Sequence, residues 1–437
     1  FMNIVVVIVL YFFLKDFNIK KKFIIFYCLS FATLCYPVSG TPFAYIHSYI
    51  FSLIAVMILI LAIKNRTNIL WFLLPIICLL SFLSMQTPSA FILVILFVVI
   101  IYNFIKFKNY VNLKFFIFGS FFSIFLISAF FFFTRTPLIN FWYQYILFPL
   151  TIGEGRISSD EAAYVGLIDQ MNLKRLIGDF KFIHIFLIPL IFLSLKHLKK
   201  KINIINTVNF TIIASTLAYL FNQLITANQI YIFSLIPLLA AILHLNLNKF
   251  KYNQKISFLI ILIVLFSSIK FHYRYNLDRK FHDLENIDKS IAVDANLIHR
   301  NLKGLKWITK YEDPNNEVKF LKEAIEVLKK DPREKTLLTH YQFISTVLDK
   351  NLNIFNRWYL WDNNTHPTEN HKYFDVYKLL IKNNIKSNNV KVVYLLGQKN
   401  EILFDNVKNY FTDLCFESTT LIEKRFSSHE IVKCKNK

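Results

Sequence analysis

Residues 43–63 read FAYIHSYIFSLIAVMILILAI, twenty-one positions without a formal charge, closed at one end by Lys64-Asn65-Arg66. A helix needs roughly 20 apolar residues to cross the hydrocarbon of a bilayer. The stretch has no period-2 alternation, so it is expected to be a spanning helix and not a barrel strand. Nine further apolar stretches share this character: Phe1–Leu14, Phe23–Tyr36, Ile69–Ser84, Pro88–Ile105, Phe115–Phe133, Phe182–Leu195, Ile202–Ile225, Ile230–Leu245 and Ile256–Phe271. The fold class that follows is a polytopic α-helical membrane protein with about ten transmembrane helices and a C-terminal extracytoplasmic α/β domain. The first stretch is short and starts on Phe1, and we expect sequence to be missing ahead of it.

The loops assign the sides. Every second loop is basic: Lys15/Lys20/Lys21/Lys22, Lys64/Arg66, Lys106/Lys108/Lys114, Lys196/Lys199/Lys200/Lys201 and Lys249/Lys251/Lys255. The intervening short loops, residues 37–42, 85–88 and 226–229, carry no Lys or Arg. Cytoplasmic loops retain Lys and Arg, so the basic set is expected inside. The loop 134–180 and the tail after Phe271 are then expected outside, in the periplasm if the cell is Gram-negative.

Bulk composition agrees. Hydrophobic residues make up 55% of the chain, and mean hydropathy is +0.43. A net charge of +22 would suit nucleic acid or anionic lipid, but here much of it orients helices. No basic, aromatic-interleaved domain points to a nucleic-acid partner. Cys28, Cys35 and Cys78 read as core residues. Cys415 and Cys434 fall in the tail, where a disulfide is one option.

Two domains are expected: 1–271, multi-span, with the external loop 134–180, and 272–437, soluble. The tail reads as a helix over Asn315–Lys330, a strand over Lys335–His340, a helix over Tyr341–Leu348, a helix over Phe374–Asn383, a parallel-type strand over Val390–Leu396 and a helix over Ile402–Phe411. Within the loop, Trp142, Tyr143 and Tyr145 suit an interfacial helix. Gly153-Glu154-Gly155-Arg156 suits a tight bend that presents Glu154 and Arg156.

The segment Tyr36 to Ile105 carries a resemblance. It holds Tyr36-Pro37, Pro42-Phe43-Ala44-Tyr45-Ile46-His47, the Lys64-Asn65-Arg66 turn, Trp71-Phe72-Leu73-Leu74-Pro75 and Leu80-Ser81-Phe82-Leu83-Ser84-Met85-Gln86-Thr87-Pro88. This resembles the GT-C glycosyltransferases of the protein O-mannosyltransferase and aminoarabinose-transferase type, with the Rhizobium lipopolysaccharide transferases among them. The resemblance covers roughly the first 270 residues. It implies a polyprenyl-phosphate-linked sugar as donor, an envelope glycan or lipid as acceptor, inversion by direct displacement, and work on the extracytoplasmic face. It also implies an acidic base in the first external loop, expected upstream of Phe1. Met85 stands where such proteins often carry Lys.

Such chemistry needs a carboxylate to deprotonate the acceptor, cations to hold the leaving phosphate, and an apolar groove for the polyprenyl tail. Residues on the external side that qualify are His47, Gln86, Arg135, Glu154, Arg156, Asp160, Glu161, Lys174 and Arg175. For substrate binding we single out His47, Gln86, Arg135 and Arg156, with Glu154 as the internal candidate base. Each has a plainer reading. His47 serves as a structural hydrogen-bonding group, and Gln86 with Ser84 as helix caps. Arg135 snorkels, Arg156 pairs with Glu154, and Asp160 and Glu161 form a solvated helix start behind Ser158 or Ser159. Trp358, Trp361, His366 and His371 either stack on sugars or line a packed loop. No cofactor is indicated; a divalent metal stays open. The alternatives kept are an O-antigen polymerase or ligase and a lipid or glycan transporter. Eight glycines in the chain argue against the broken helices a transporter needs.

Overall fold

The computed structural model describes residues 1–36, 44–158, 171–198, 204–226, 232–249, 254–278, 287–309, 312–355, 365–397, 404–422 and 425–434. The chain forms two compact units: Phe1–Pro137 with Gly153–Glu285, and Leu138–Ile152 with Asn286–Lys437.

The first unit is helical. Each apolar stretch is a helix: α1 (Met2–Asp16), α2 (Lys21–Cys35), α3 (Ala44–Asn65), α4 (Asn68–Ser84), α5 (Gln86–Phe107) and α6 (Tyr110–Thr134). After α7 (Leu138–Phe141) and α8 (Phe148–Ser158) come α9 (Lys181–Leu198), α10 (Ile204–Thr226), α11 (Leu235–Lys249) and α12 (Gln254–His272). Five segments are long and apolar enough to cross a membrane: α3, α5, α6, α10 and α12 extended to Tyr275. The fifteen-residue α1, α2 and α11 span about 23 Å at 1.5 Å per residue, short of the ~30 Å hydrocarbon core.

The helix ends sort into two sets. At one end Lys64 Nζ, closing α3, reaches Asp16 Oδ2, closing α1, at 2.5 Å. There Trp71 of α4 also meets Phe104 of α5 and Phe116 of α6. Asn209 of α10 and Asn246 of α11 exchange two amide hydrogen bonds of 2.9 Å. At the other end Asn3 of α1 donates to the Ala32 carbonyl of α2, and Ser48 of α3 donates to the Met85 carbonyl. Phe182 of α9 and Phe233 both meet Phe271 of α12. The helices therefore alternate in direction, and among the described residues Lys15, Lys20, Lys64 and Lys106 gather at the first end.

α3 is the axis. Of its most apolar stretch 83% is buried, against 11% for α6. Phe118, Phe121 and Phe125 of α6 and Val94, Phe97 and Ile101 of α5 face outward, a surface that water does not stabilise. α4 and α6 touch closely because Gly119 has no side chain: a Cβ there would collide with the Phe72 carbonyl. Small residues at such crossings are what lets apolar helices associate.

The second unit contains a four-stranded sheet of β3 (Lys335–Thr339), β4 (Val392–Leu396), β5 (Cys415–Ile422) and β6 (Phe426–Val432), in the order β3-β4-β6-β5. It follows a two-stranded ribbon of β1 (Val293–Asp294) and β2 (Lys306–Trp307). β3 and β4 are parallel; β6 is antiparallel to β4 and β5. Successive residues of β3 and β4 face opposite layers. Leu337, Val392, Tyr394 and Leu396 join α13 (Pro314–Lys330) and α14 (Phe343–Leu348). Leu338, Val393 and Leu395 join α15 (Phe374–Ser387) and the turns after α16 (Phe404–Val407). α13 starts where Asp313 caps the Asn315 N–H and Pro314 occupies the first turn; Lys329 and Lys330 end it, as the helix dipole favours.

The sequence reading has no counterpart for the β5–β6 hairpin. Cys415 and Cys434 are bonded across it. Two expectations are corrected. Gly153-Glu154-Gly155-Arg156 is not a bend: it lies inside α8. A Cβ at Gly153 would meet nothing within 4 Å, so the glycine is not needed there for a turn; it only costs helix propensity. Ile402–Phe411 is expected as one helix; within it the described residues form the four-residue α16 and a 3-10 turn, Lys408–Phe411.

Two outcomes follow from this packing. Gly119→Val forces α4 and α6 apart at a cost of about 1–3 kcal/mol, read as a lower melting temperature in detergent. His429 stacks on Phe404 at 3.9 Å, and its ring nitrogens meet Ser418 Oγ and Ser427 Oγ at 2.7 and 2.9 Å. Burial lowers its pKa from 6.5 to about 4. Below 6.5 the unfolded chain binds a proton that the folded chain refuses. Stability therefore falls as pH drops from 6.5 to about 4, and His429→Gln flattens that part of a Tm-against-pH curve.

Candidate functional site

The end of the first unit opposite the basic loops carries a group of cations. Lys181 opens α9, Lys270 lies in the last turn of α12, and Arg274 lies on the π-helical turn Tyr273–Asp278 that continues it. Lys181 Nζ and Lys270 Nζ sit 5.7 and 5.4 Å from the centre of the same ring, Phe182. Arg274 lies over Tyr275 at 5.3 Å. Below them Phe233, Phe271 and Tyr275 stack, with Phe233 and Phe271 3.8 Å apart. Lys181 and Arg274 both act on Lys270 as like charges. Among the described residues, no carboxylate pairs with any of the three. A cation at a helix N-terminus also opposes the helix dipole, so Lys181 is placed against local electrostatics. The arrangement is suited to an anion with several oxygens, such as a phosphate.

The same end buries a band of hydroxyls and amides. Gln223 Nε2 donates to Tyr45 Oη at 2.7 Å, and Asn222 Nδ2 bonds to the same oxygen. Tyr49 pairs with Ser234, and Ser52 with Tyr219, each at 2.7 Å. Ser89 Oγ lies 2.5 Å from both Ser48 Oγ and Ser81 Oγ. None of these was a candidate from sequence. The spacing was available: Tyr45, Tyr49 and Ser52 fall on one face of α3 at i, i+4, i+7, as do Tyr219, Asn222 and Gln223 on α10. Next to this band an apolar crevice opens between α5 and α10. It is lined by Phe91, Val94, Ile95, Ala214, Leu217 and Phe221 and closed at one point by Phe91 against Phe221.

The predicted residues divide. His47 and Gln86 lie on the first turns of α3 and α5, which the Ser48–Met85 and Ser48–Ser89 bonds hold together. The N-cap position of α5 is Met85, whose side chain makes no cap bond, and Ser84 Oγ donates back to the Leu80 carbonyl. Arg135 ends α6 in left-handed backbone, exposed beside a recess of Phe131, Phe132, Phe133, Thr136 and Pro137. Glu154 is exposed on α8; Arg156 shares that helix. Lys174 is exposed on the π-helical turn Lys174–Asp179, which also carries Arg175. Asp160, Glu161, Ser159, Trp358 and Trp361 lie outside the described residues. His366 and His371 belong to the second unit, together with Tyr143. Among the described residues, no His, Cys, Asp and Glu side chains converge to hold a metal ion.

Tyr45 is the shared acceptor of two buried amides. Tyr45→Phe leaves two N–H groups without that acceptor at about 1–3 kcal/mol each, and the expected result is a fall in the melting temperature of the purified protein.

No protein-family model matches this chain, and no curated protein matches it.

Proposed function

We propose that this protein is a membrane glycosyltransferase that moves a sugar from a polyprenyl-phosphate donor to an envelope glycan or lipid. The reading places it in the bacterial inner membrane, with the reaction on the periplasmic face. The observation that carries it is the cation group Lys181, Lys270 and Arg274. Charge is kept off the short loops of that end, yet three cations converge there on one aromatic patch. A site of like charges stabilises little by itself; it is stabilised by an anion. The leaving group of a polyprenyl-phosphate sugar is such an anion.

The chemistry follows from these placements. The acceptor hydroxyl loses its proton to a carboxylate and attacks the anomeric carbon. The bond from that carbon to the phosphate oxygen breaks, and the cations take up the charge that develops there. The crevice beside Phe91 and Phe221 offers an apolar path for an isoprenoid chain. His47 and Gln86, on helix turns beside the buried hydroxyl band, are the polar groups assigned to the sugar. Glu154 is the candidate base within the chain.

The test is a donor-consumption assay in membranes, read by mass spectrometry of lipid-linked sugars and envelope glycans. Lys181→Gln, Lys270→Gln and Arg274→Gln each lower transfer, by about 10²-fold for the strongest. Because each also relieves like-charge repulsion, the variants melt at the same temperature or higher. Full transfer in all three variants overturns the reading.

A further inference from the structure

We infer that the second unit binds a neutral saccharide in a cleft walled by Asn140, Tyr143, Gln144 and Phe148 on one side and by Tyr373 and Tyr377 on the other. The inference stands on the lining of this cleft alone and does not need the transfer reading. The cleft is small, about 90 Å³, below the ~300–1,000 Å³ of sites for drug-sized ligands, so it grips a saccharide by part of one ring and leaves the rest outside.

Its lining contains no Lys, Arg, Asp or Glu, in a chain whose net charge is +22. No charged group lines the cleft itself, and the nearest cation, Lys372 Nζ, is engaged over the Tyr373 ring at 5.5 Å, so the lining favours a neutral ligand over a phosphate or a carboxylate. Aromatic rings lie beside two amides, a hydroxyl and an imidazole. A sugar ring has the matching surfaces: apolar C–H faces for the rings, and hydroxyls that both donate and accept. Asn and Gln amides supply both roles at one group. A peptide in extended form would need a free strand edge, whereas the flanking elements are α7, the turn Trp142–Leu147, α8 and α15.

The walls are held in place before any ligand arrives. Thr151 Oγ1 donates to the Phe148 carbonyl at 2.6 Å and meets His371 Nε2 at 2.8 Å. His371 Nδ1 accepts from the Tyr373 N–H at 3.1 Å. These bonds require a proton on Nε2 and none on Nδ1, so His371 is the neutral tautomer that fixes Tyr373. Tyr373 in turn meets Tyr143 edge-on at 5.7 Å. Beneath, the buried His366 ring stacks on Tyr377, and Tyr410 bonds to the Pro367 carbonyl at 2.6 Å. Preorganised aromatic walls lower the entropy that binding must offset.

The experiment is saturation-transfer NMR on the full chain in nanodiscs with three probes: mannotriose, N-acetylchitotriose and, as the anionic control, trigalacturonate. At least one neutral trisaccharide receives saturation, and trigalacturonate binds more weakly. Tyr373→Ala and Gln144→Ala each weaken binding about tenfold, the loss of one anchor contact. Gln144 is exposed, so its variant reports on binding even where Tyr373→Ala fails to fold. Lys270→Gln leaves saccharide binding unchanged, which separates failure here from failure of the transfer reading. No binding of either neutral probe, binding by both cleft variants as tight as that of the unmodified chain, or a preference for trigalacturonate overturns the inference.

Discussion

A buried Ser or Thr can bond back to a carbonyl of its own helix, as Ser123 and Thr216 do, but a buried Tyr hydroxyl among apolar helices needs a partner on another helix, because neither lipid nor aliphatic side chains can supply one. α3 has this constraint along its length. Its Tyr45, Tyr49 and Ser52 reach Asn222, Gln223, Ser234 and Tyr219, and its Ser48 reaches the α4–α5 junction. Dispersion holds apolar helices together but lets them slide or rotate with little loss. Directional bonds do not. Each pair fixes both the rotation of a helix about its axis and its height against its neighbour. The apolar faces that remain then point outward, and the bundle acquires one polar end and one basic end as a consequence of register.

That register decides where charge can accumulate. At the basic end Lys64 is offset by Asp16, and among the described residues Lys15, Lys20, Lys106 and Lys108 lie at helix ends, where long side chains can reach past an apolar belt. At the opposite end Lys181, Lys270 and Arg274 meet over aromatic rings with no acid among the described residues to offset them. The favourable cation–π contacts, worth about 0.5–2 kcal/mol each, work against the mutual repulsion of the same charges. The group therefore adds little to the fold by itself, and this is the ground for proposing an anion as its ligand.

Much of this architecture was legible in the residues, for particular reasons. The apolar runs are helices because a backbone in an apolar setting has few other ways to satisfy its own N–H and C=O groups. Val318, Leu321, Ala324, Ile325 and Leu328 form the buried face of α13 because a 3.6-residue period leaves that one stripe. Other features were not legible. The cation group joins residues from α9 and α12, which no local window contains together. The hairpin β5–β6 is rich in Ser, Thr, Glu and His, and β5 has only half-buried and exposed positions; with few residues committed to a core, the period-2 signal is weak. The Gly-Glu-Gly-Arg stretch misleads because glycine permits a turn without requiring one. Leu138–Ile152 belongs with the second unit, and its aromatic residues, which suit an interface by composition, are used there against Tyr373 and His371.

The two sites separate by charge, and this bears on what each can recognise. Under the proposed function the cation group reads net charge and the geometry of oxygens, whatever sugar is attached. The cleft proposed as a saccharide site in the second unit has the reverse bias: without a charged lining residue it selects by ring stacking and the pattern of hydroxyls more than by charge. The proposed transfer requires two sugars to be told apart while only one phosphate is held. Placing the charge-reading groups in one unit and the hydroxyl-reading groups in the other meets that requirement. An anionic ligand attracted to the first site is not stabilised in the second, and a neutral glycan seated in the second has no reason to occupy the first.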